Sequence, residues 1–310
     1  MLWLFRFFSV WPLAALHAAG GALGWAVWGL NASYRQRFRA NCAQAGVPFD
    51  LAKPAIAEAG RFVAELPKLW LQPFGESCPA HVRIEGQEHA EQAFAQGQGL
   101  IFFGAHCGSF ELGPQALAEV FGPQFGPITA IYRPARQPAL AAIELAYRQR
   151  PQLTVLPASL SAIKAMHKAL KANQAVALLT DQVPPEGLGV WAPFFGKPAY
   201  TMTLAARLAM QTGATLLPVS CERLPKGRGY IVKISPPVEL APKASAKPDP
   251  KTDLLQTVTL INQAIETLVL SQPGQYLWGY GRYKTPRQDT VQKSDQKPPG
   301  QPAAAKKADR

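Results

Sequence analysis

Residues 100–121 read LIFFGAHCGSFELGPQALAEVF, and this stretch is the strongest indication of the fold. It begins with a continuous apolar run at 100–104, which is typical of a buried strand, and ends in a helix-like pattern over 110–121. The turn between them contains His106, and Glu111 follows five residues later. The stretch therefore predicts a strand, a turn that carries reactive groups, and a helix.

Short apolar runs and amphipathic stretches alternate along the chain after residue 82. The predicted strands are 82–84, 100–104, 128–132, 154–156, 175–180, 215–220 and 230–234. The predicted helices are 33–45, 51–71, 87–95, 110–121, 138–148, 160–172, 201–212 and 253–270, with an aromatic-rich loop at 191–196. This alternation predicts an α/β layered fold with a mixed, partly parallel central sheet flanked by helices.

The N-terminal segment is the least polar part of the chain, since residues 7–30 contain no Asp, Glu, Lys or Arg. As a helix these residues would extend roughly 36 Å, which is enough to cross a hydrocarbon core of ~30 Å. Three basic residues follow: Arg35, Arg37 and Arg39. The positive-inside rule then places the main body in the cytoplasm. We expect a membrane anchor at 1–31, an uncleaved transmembrane helix, before a catalytic domain at 32–285.

Other readings of this segment remain open. Pro12 and the Gly20–Gly21 pair weaken a helix, which leaves an interfacial helix or a re-entrant hairpin. The small residues around His17 resemble a secretory cleavage site, and a buried core helix is a further alternative.

The chain carries a formal net charge of +12, from 32 Lys and Arg against 20 Asp and Glu. This excess favours anionic partners, such as an acidic protein or an acidic membrane surface. The basic residues are scattered rather than clustered with aromatic residues, so no nucleic-acid partner is expected. Residues 286–310 are rich in Lys and Pro and predict a disordered basic tail. The four cysteines are far apart, with no metal-ligand spacing, so no metal site is expected.

The turn at residues 105–112 predicts a catalytic site. On a regular helix two residues five apart point about 140° away from each other, but a histidine in the preceding turn can meet Glu111. His106 would be the general base and Glu111 the carboxylate that orients it. The backbone N–H groups of Gly108 and Ser109 are candidate oxyanion donors, at the positive end of the helix. A helix-capping turn with a surface glutamate is the simpler alternative.

Two further predicted strands end in polar residues. Arg133 follows the strand at 128–132, and Asp181 and Gln182 follow the strand at 175–180. Because open α/β sheets bind ligands at the carboxyl ends of their strands, these three residues are candidates for substrate binding.

Several segments together give the chain a family resemblance. They are AELPKLW (64–70), VRIEGQEH (82–89), GAHCGSFELG (104–113), IYRPARQP (131–138), LLTDQVPPEGLGVWAPFFGKPAYT (178–201), RLAMQTGATLLPV (207–219) and QYLWGYGRYKTPR (275–287). With the apolar N-terminus they resemble the late acyltransferases of lipid A biosynthesis, the lauroyl and myristoyl transferases within the lysophospholipid acyltransferase group. The HX4E motif is shared by the larger group, and PFFG-x-P is specific to this branch. Departures at Cys107 and Gly281 do not touch the proposed dyad.

The resemblance implies O-acyl transfer from an acyl carrier protein thioester to a hydroxyl of a Kdo-bearing lipid A precursor. It implies an enzyme of lipopolysaccharide biosynthesis at the bacterial inner membrane, with its catalytic domain on the cytoplasmic face. It adds Arg282 and Lys284, in the closing basic segment, as substrate-binding candidates. A thioester is already activated, so neither a cofactor nor a covalent acyl-enzyme is expected.

The chemistry leaves rival functions open. The acceptor is alternatively another glycolipid or lipid. A membrane-anchored thioesterase or hydrolase is a less favoured alternative, either through Cys107 or without a lipid product, and a non-catalytic binding protein is another. A serine hydrolase lacks support because no G-x-S-x-G elbow surrounds Ser109.

Overall fold

The structure is a computed structural model that describes residues 2–71, 82–135, 137–240 and 250–287. Its N-terminal part is helical: α1 (Leu2–Ser9), α2 (Leu13–Leu30), α3 (Ala32–Gln44), α4 (Phe49–Ala52) and α5 (Ala55–Leu71). The apolar run predicted as one segment is therefore two helices. Pro12 separates them, because it has no N–H to continue α1 and its backbone is well suited to precede a new helix.

The remaining strands and helices follow the order that the sequence predicts, with two further strands in the segment predicted as a loop. The strands are β1 (Val82–Glu85), β2 (Leu100–Gly104), β3 (Ile128–Tyr132), β4 (Leu153–Pro157), β5 (Ala175–Leu179), β6 (Gly189–Phe194), β7 (Lys197–Met202), β8 (Thr215–Arg223) and β9 (Tyr230–Ile234). The helices are α6 (Gln87–Ala95), α7 (Gly113–Phe125), α8 (Pro138–Tyr147), α9 (Leu160–Lys171), α10 (Leu204–Thr212) and α11 (Pro250–Ser271).

Seven strands form one sheet in the order β1-β9-β8-β2-β5-β3-β4. Strands β8 and β9 are antiparallel, and the other neighbouring pairs are parallel. This confirms the predicted mixed, partly parallel α/β sheet. The adjacent strands β2, β5 and β3 end at the same edge, so the polar residues that follow them are brought together.

Strand β2 lies at the centre of the core and is buried on both faces. Leu100 and Phe102 belong to one apolar cluster, and Ile101 and Phe103 belong to the cluster on the other face. A parallel strand covered by helices on both sides reads as a continuous apolar run, which is why LIFFG shows no alternation.

The aromatic-rich segment after β5 differs from the prediction of a loop. Strands β6 and β7 pair as an antiparallel hairpin, and α10 begins at Leu204 rather than at Thr201. Phe195 and Gly196, with φ of +47° and +72°, form the two-residue turn that matches the twist of a hairpin. Pro193 and Pro198, which argue against a strand, lie opposite each other in this two-stranded ribbon.

The predicted division into an anchor at 1–31, a domain at 32–285 and a tail at 286–310 stays a prediction. From residue 288 onward the predicted basic tail lies outside the described residues.

Candidate active site

The centre of the site is a pair of residues that follow neighbouring strands. In the parallel pairing of β2 with β5, Gly104 is opposite Leu179. His106 and Asp181 each stand two residues further along, so the register alone brings them to the same level of the sheet edge. The Thr180 N–H donates to the Gly104 carbonyl at 3.0 Å and holds the two chain segments together.

Asp181 binds His106 through both carboxylate oxygens. The imidazole Nδ1 lies 2.7 Å from Oδ1, and the His106 backbone N–H donates to Oδ2 at 3.1 Å. Burial alone would raise the pKa of Asp181, but the adjacent imidazole and these two hydrogen bonds outweigh it and lower that pKa. An ionised carboxylate at Nδ1 fixes the tautomer in which Nδ1 carries the proton.

The other imidazole nitrogen carries the available lone pair. The Gln182 side-chain amide nitrogen lies 3.0 Å from Nε2 and donates to it. Phe110 packs edge-on against the ring, with centroids 4.6 Å apart. Since the ring is only partly buried, Nε2 is the atom that can accept a proton from a bound hydroxyl.

Glu111 does not form the predicted contact with His106. Its carboxylate accepts hydrogen bonds from Arg148 at 2.6 Å and from the Trp70 indole at 3.2 Å. The reason is local: Cys107 and Gly108 make backbone bridges to other segments, and α7 begins only at Gly113. Glu111 is thus in a turn facing Arg148, and the carboxylate at the imidazole belongs to Asp181.

The predicted oxyanion donors are already hydrogen-bonded. The Gly108 N–H donates to the Gln275 carbonyl at 3.0 Å, and the Ser109 N–H donates to the Cys221 carbonyl at 2.9 Å. Both precede the first turn of α7, so neither is a free N–H at a helix terminus. This part of the prediction is corrected.

The other candidate residues are placed separately. Arg133 is exposed at the end of β3. Arg282 is 2% exposed and donates to the Tyr200 carbonyl and the Thr201 hydroxyl, so its cation is occupied within the protein. Lys284 is exposed, with its ammonium over the Tyr280 ring. Among the described residues, neither basic residue of the closing segment is seen to hydrogen-bond His106, Asp181 or Gln182, but the charge of Arg282 contributes to lowering the pKa of Asp181.

The closing segment supports the site through its backbone. The Leu277 N–H donates to the His106 carbonyl at 3.1 Å, and Tyr276 forms a backbone bridge with Cys107. The Tyr280 hydroxyl accepts from the Val183 N–H at 2.9 Å, just after Gln182. Residues 276–280 thus hold both strand-end turns in place.

An apolar cavity of about 110 Å³ lies beside the turn. Its wall includes Ala105 and Phe110, which flank His106 in sequence or space, and residues from β2, β3, β4, β5 and β8. Glu111 and Arg148 provide charged groups in the wall, and the buried Nε of Arg148 has no hydrogen-bond partner among the residues that the structure describes. The Arg148 guanidinium also lies over the rings of Trp70 and Tyr132. Such a cavity, apolar with a few polar groups, is typical of a ligand site.

Sequence reasoning missed a buried ionic cluster beneath the turn. Arg223 donates to Glu65 and to Glu58, and its Nη2 also donates to the Gly108 carbonyl at 3.2 Å. Glu65 further accepts from Ser109 Oγ at 2.7 Å. Burial opposes its charge, but Arg223 outweighs that effect and lowers the pKa of Glu65 to about 2. The sequence signal for this cluster is a pair of glutamates, Glu58 and Glu65, which lie seven residues apart on the otherwise apolar face of α5.

Cys107 is not suited to be a nucleophile. Its side chain is buried, and this burial, with the charge of Asp181, raises its pKa to about 12. A thiol that stays protonated at neutral pH is a poor nucleophile, which disfavours the cysteine hydrolase alternative.

Comparison with known proteins gives the family. The model of the bacterial lipid A biosynthesis acyltransferase family matches residues 1–285. The chain belongs to this family. The match includes the N-terminal helices, the sheet and the closing segment, as the resemblance predicted.

Among the relatives of this chain, the lipid A biosynthesis lauroyltransferase of Escherichia coli K12 is 32% identical over 203 residues, 65% of this chain and 61% of that protein. The palmitoleoyltransferase of the same strain is 28% identical over the same shares. The phosphatidylinositol mannoside acyltransferase of Mycobacterium tuberculosis H37Rv is 27% identical over 50% of this chain and 48% of that protein. The matched region thus spans about three fifths or less of these relatives' lengths.

Proposed function

We propose that the protein transfers a fatty acyl chain from an acyl carrier protein thioester to a hydroxyl of a Kdo-bearing lipid A precursor. The observation that carries the proposal is His106, held by Asp181 through Nδ1 and able to accept a proton at Nε2, beside an apolar cavity. Membership of the lipid A acyltransferase family supports the class of reaction and of acceptor.

In the proposed reaction the acceptor hydroxyl takes the place of the Gln182 amide at Nε2 of His106. The imidazole removes the hydroxyl proton as the oxygen attacks the thioester carbonyl, and a tetrahedral oxyanion forms. Collapse of this intermediate forms the ester and breaks the C–S bond. The imidazolium returns its proton to the leaving thiolate, and Asp181 stabilises the imidazolium in between.

The cavity is the proposed site of the acyl chain. Its wall is mostly apolar, with Glu111 and Arg148 as charged groups, so a hydrocarbon chain would be removed from water there while its thioester stays near the charged part of the wall. Arg148 is the proposed cation for the developing oxyanion or for a lipid phosphate. Glu111 holds Arg148 in this position. The proposed role of Glu111 is therefore to position Arg148.

The proposed partners are both anionic. An acyl carrier protein and a phosphorylated glycolipid suit a chain with a net charge of +12. The proposed location is the cytoplasmic face of a bacterial inner membrane, since the acceptor is a lipid. In the described residues one helix, Leu13–Leu30, is long and apolar enough to cross a membrane by length and composition.

The test is a mass-spectrometric assay with a panel of acyl carrier protein thioesters and the Kdo-bearing tetra-acylated lipid A precursor. One added acyl group, lost in His106→Ala and reduced in Glu111→Ala, is the expected result, and the panel also gives the preferred chain length. Steady release of free fatty acid without a lipid product would contradict acyl transfer and favour a thioesterase.

A second acceptor class is favoured by the relatives that are phosphatidylinositol mannoside acyltransferases. The same assay therefore includes a mannosylated phosphatidylinositol as acceptor. Acylation of this lipid, with none on the lipid A precursor, would keep the reaction and replace the substrate.

A further inference from the structure

We infer that the N-terminal helices α1 and α2 lie in the plane of the membrane surface, inserted into one leaflet, and that α2 does not cross the bilayer. Length and composition permit either arrangement. The packing of α2 on the folded body distinguishes them. This inference concerns how the protein is held on the lipid and does not depend on the reaction proposed above.

Helix α2 is packed against α5 with backbones in contact. A Cβ on Gly24 would lie 2.2 Å from the Ile56 carbonyl oxygen, and a Cβ on Gly60 would lie 2.0 Å from the Gly20 carbonyl oxygen. Such contacts exist only where small residues face each other. The two helices therefore occupy the same depth in whatever environment surrounds them.

Helix α5 is poorly suited to the hydrocarbon core of a bilayer. It carries Glu58, Arg61, Glu65 and Lys68, and Glu65 contacts His17 of α2 at 2.9 Å. Glu58 and Glu65 are also tied to Arg223 of β8 inside the domain. If α2 crossed the bilayer, it would either carry these charged groups into hydrocarbon or lose all of its contacts with α5.

Both ends of α2 also touch the folded body. At its start, a Cβ on Gly227, in the turn between β8 and β9, would lie 2.6 Å from the Ala14 backbone nitrogen. At its end, the Trp28 ring packs on Phe38 and Phe49, with centroids 5.1 and 5.8 Å apart. A spanning helix must place one end about 30 Å from the cytoplasmic domain. Because both ends of α2 contact the folded body, neither end can lie at that distance.

Helix α1 is held in the same way. Lys68 of α5 donates to the carbonyls of Ser9 and Trp11, both at 3.1 Å, and Phe5 stacks on Trp70. The N-terminus thus stays on the same side of the molecule as α5.

The outer face of the two helices is apolar. The exposed large side chains on α1, on α2 and in the turn between them are Trp3, Leu4, Phe7, Val10, Leu23, Trp25, Val27 and Leu30. We call this surface the N-terminal apolar face. Its apolar side chains are grouped rather than scattered singly, and its indole rings are suited to the membrane interface.

Positive charges flank this face at both ends. Lys226 and Arg228 are exposed beside the start of α2, and Arg37 and Arg39 are exposed just after its end. Cations at both ends suit a helix whose two ends lie at one layer of anionic headgroups. The occupant of the N-terminal apolar face is therefore the cytoplasmic leaflet of a phospholipid bilayer.

The test uses the full chain in a Gram-negative bacterium, with single cysteines placed before and after α2. The variants are Arg6→Cys and Ser33→Cys, each combined with Cys78→Ser; the native Cys42, Cys107 and Cys221 are buried. A membrane-impermeant maleimide is added to spheroplasts and to inverted inner-membrane vesicles. We expect both sites to be protected in spheroplasts and labelled in inverted vesicles. Labelling of Arg6→Cys in spheroplasts, with Ser33→Cys protected, would overturn the inference.

A second measurement gives the depth of the helix. A nitroxide on Leu23→Cys, in the middle of the exposed face of α2, is examined in vesicles of phosphatidylethanolamine and phosphatidylglycerol. We expect it within about 10 Å of the phosphate layer, at the depth of interfacial helices. A position near the bilayer centre would contradict the in-plane arrangement. Neither readout uses acyl transfer, so an inactive protein that behaves as expected here would refute only the proposed function.

Discussion

At the scale of single residues, the partner of His106 is the informative difference between sequence and structure. The sequence placed His106 on the turn after a strand because apolar runs and small-residue turns are local signals. It paired the histidine with Glu111 because only that spacing is visible locally. Asp181 is 75 residues away, and it reaches Nδ1 only because β5 lies beside β2 in register. The ends of the predicted strands indicate Asp181 as a site residue but do not indicate its partner.

The two carboxylates are expected to respond differently to substitution. Asp181→Asn leaves the shape of the site but removes the charge that fixes the Nδ1–H tautomer and stabilises the imidazolium, so we expect kcat to fall by about 10²- to 10⁴-fold. Glu111→Gln weakens the hold on Arg148, so we expect a smaller loss that includes a higher KM for the lipid or the thioester. Steady-state kinetics of both variants check this. A full loss in Glu111→Gln beside normal kcat in Asp181→Asn would restore the dyad predicted from the sequence.

At the scale of elements, the strands of the main sheet were predictable and the pairings between segments were not. Buried strands such as β2 are recognised by their continuous apolar residues. The hairpin of β6 and β7 was missed because Pro193 and Pro198 are signals against strands. Its two strands pair with each other and form a sheet separate from the main one. Helix α7 starts later than predicted because Cys107 and Gly108 pair with Tyr276 and Cys221, which no local pattern contains.

The contact between α2 and α5 predicts opposite effects for two glycines of one helix. In Gly24→Ala the new Cβ meets the Ile56 carbonyl, so we expect a loss of about 1–3 kcal/mol in the free energy of unfolding. In Gly29→Ala no described residue lies within 4 Å of the new Cβ, so we expect no loss or a gain of up to about 1 kcal/mol. Unfolding in detergent, followed by circular dichroism, measures both. Equal effects at the two positions would contradict the close packing.

The buried ionic cluster predicts a stability that depends on pH. The pKa of Glu65 is about 2 in the folded chain against its ordinary 4.5, so its contribution of roughly 3 kcal/mol is present above pH 4.5 and is lost as the pH falls towards 2. In Glu65→Gln this dependence is absent, and Arg223 is left without its main partner, so the variant is less stable at pH 7. Unfolding of both proteins between pH 2 and 7 tests this; identical slopes would contradict it.

At the scale of the whole molecule, charge and the N-terminal apolar face act together. The net charge was readable from the sequence, and so was an apolar N-terminus. How that N-terminus meets the membrane was not, because it depends on Gly24 and Gly60 facing each other and on His17 reaching Glu65. These contacts join segments that are 36 or more residues apart.

The positive charge of the protein predicts a salt-dependent donor reaction. With an acidic carrier protein as acyl donor, kcat/KM should fall several-fold as the ionic strength rises from 0.02 to about 0.2 M, because long-range attraction is screened. With an acyl-pantetheine thioester, which lacks the acidic protein, we expect little salt dependence. The same loss with both donors would mean that the salt acts on the lipid acceptor or on the enzyme itself.

The most direct test of the proposed mechanism compares two neighbouring residues, His106 and Cys107. The initial rate of acylated glycolipid formation is measured for His106→Ala and for Cys107→Ala, with folding of both variants checked by thermal unfolding. We predict a loss of about 10²-fold or more for His106→Ala and near wild-type transfer for Cys107→Ala. Normal transfer by a folded His106→Ala protein would contradict the assignment of His106 as the general base.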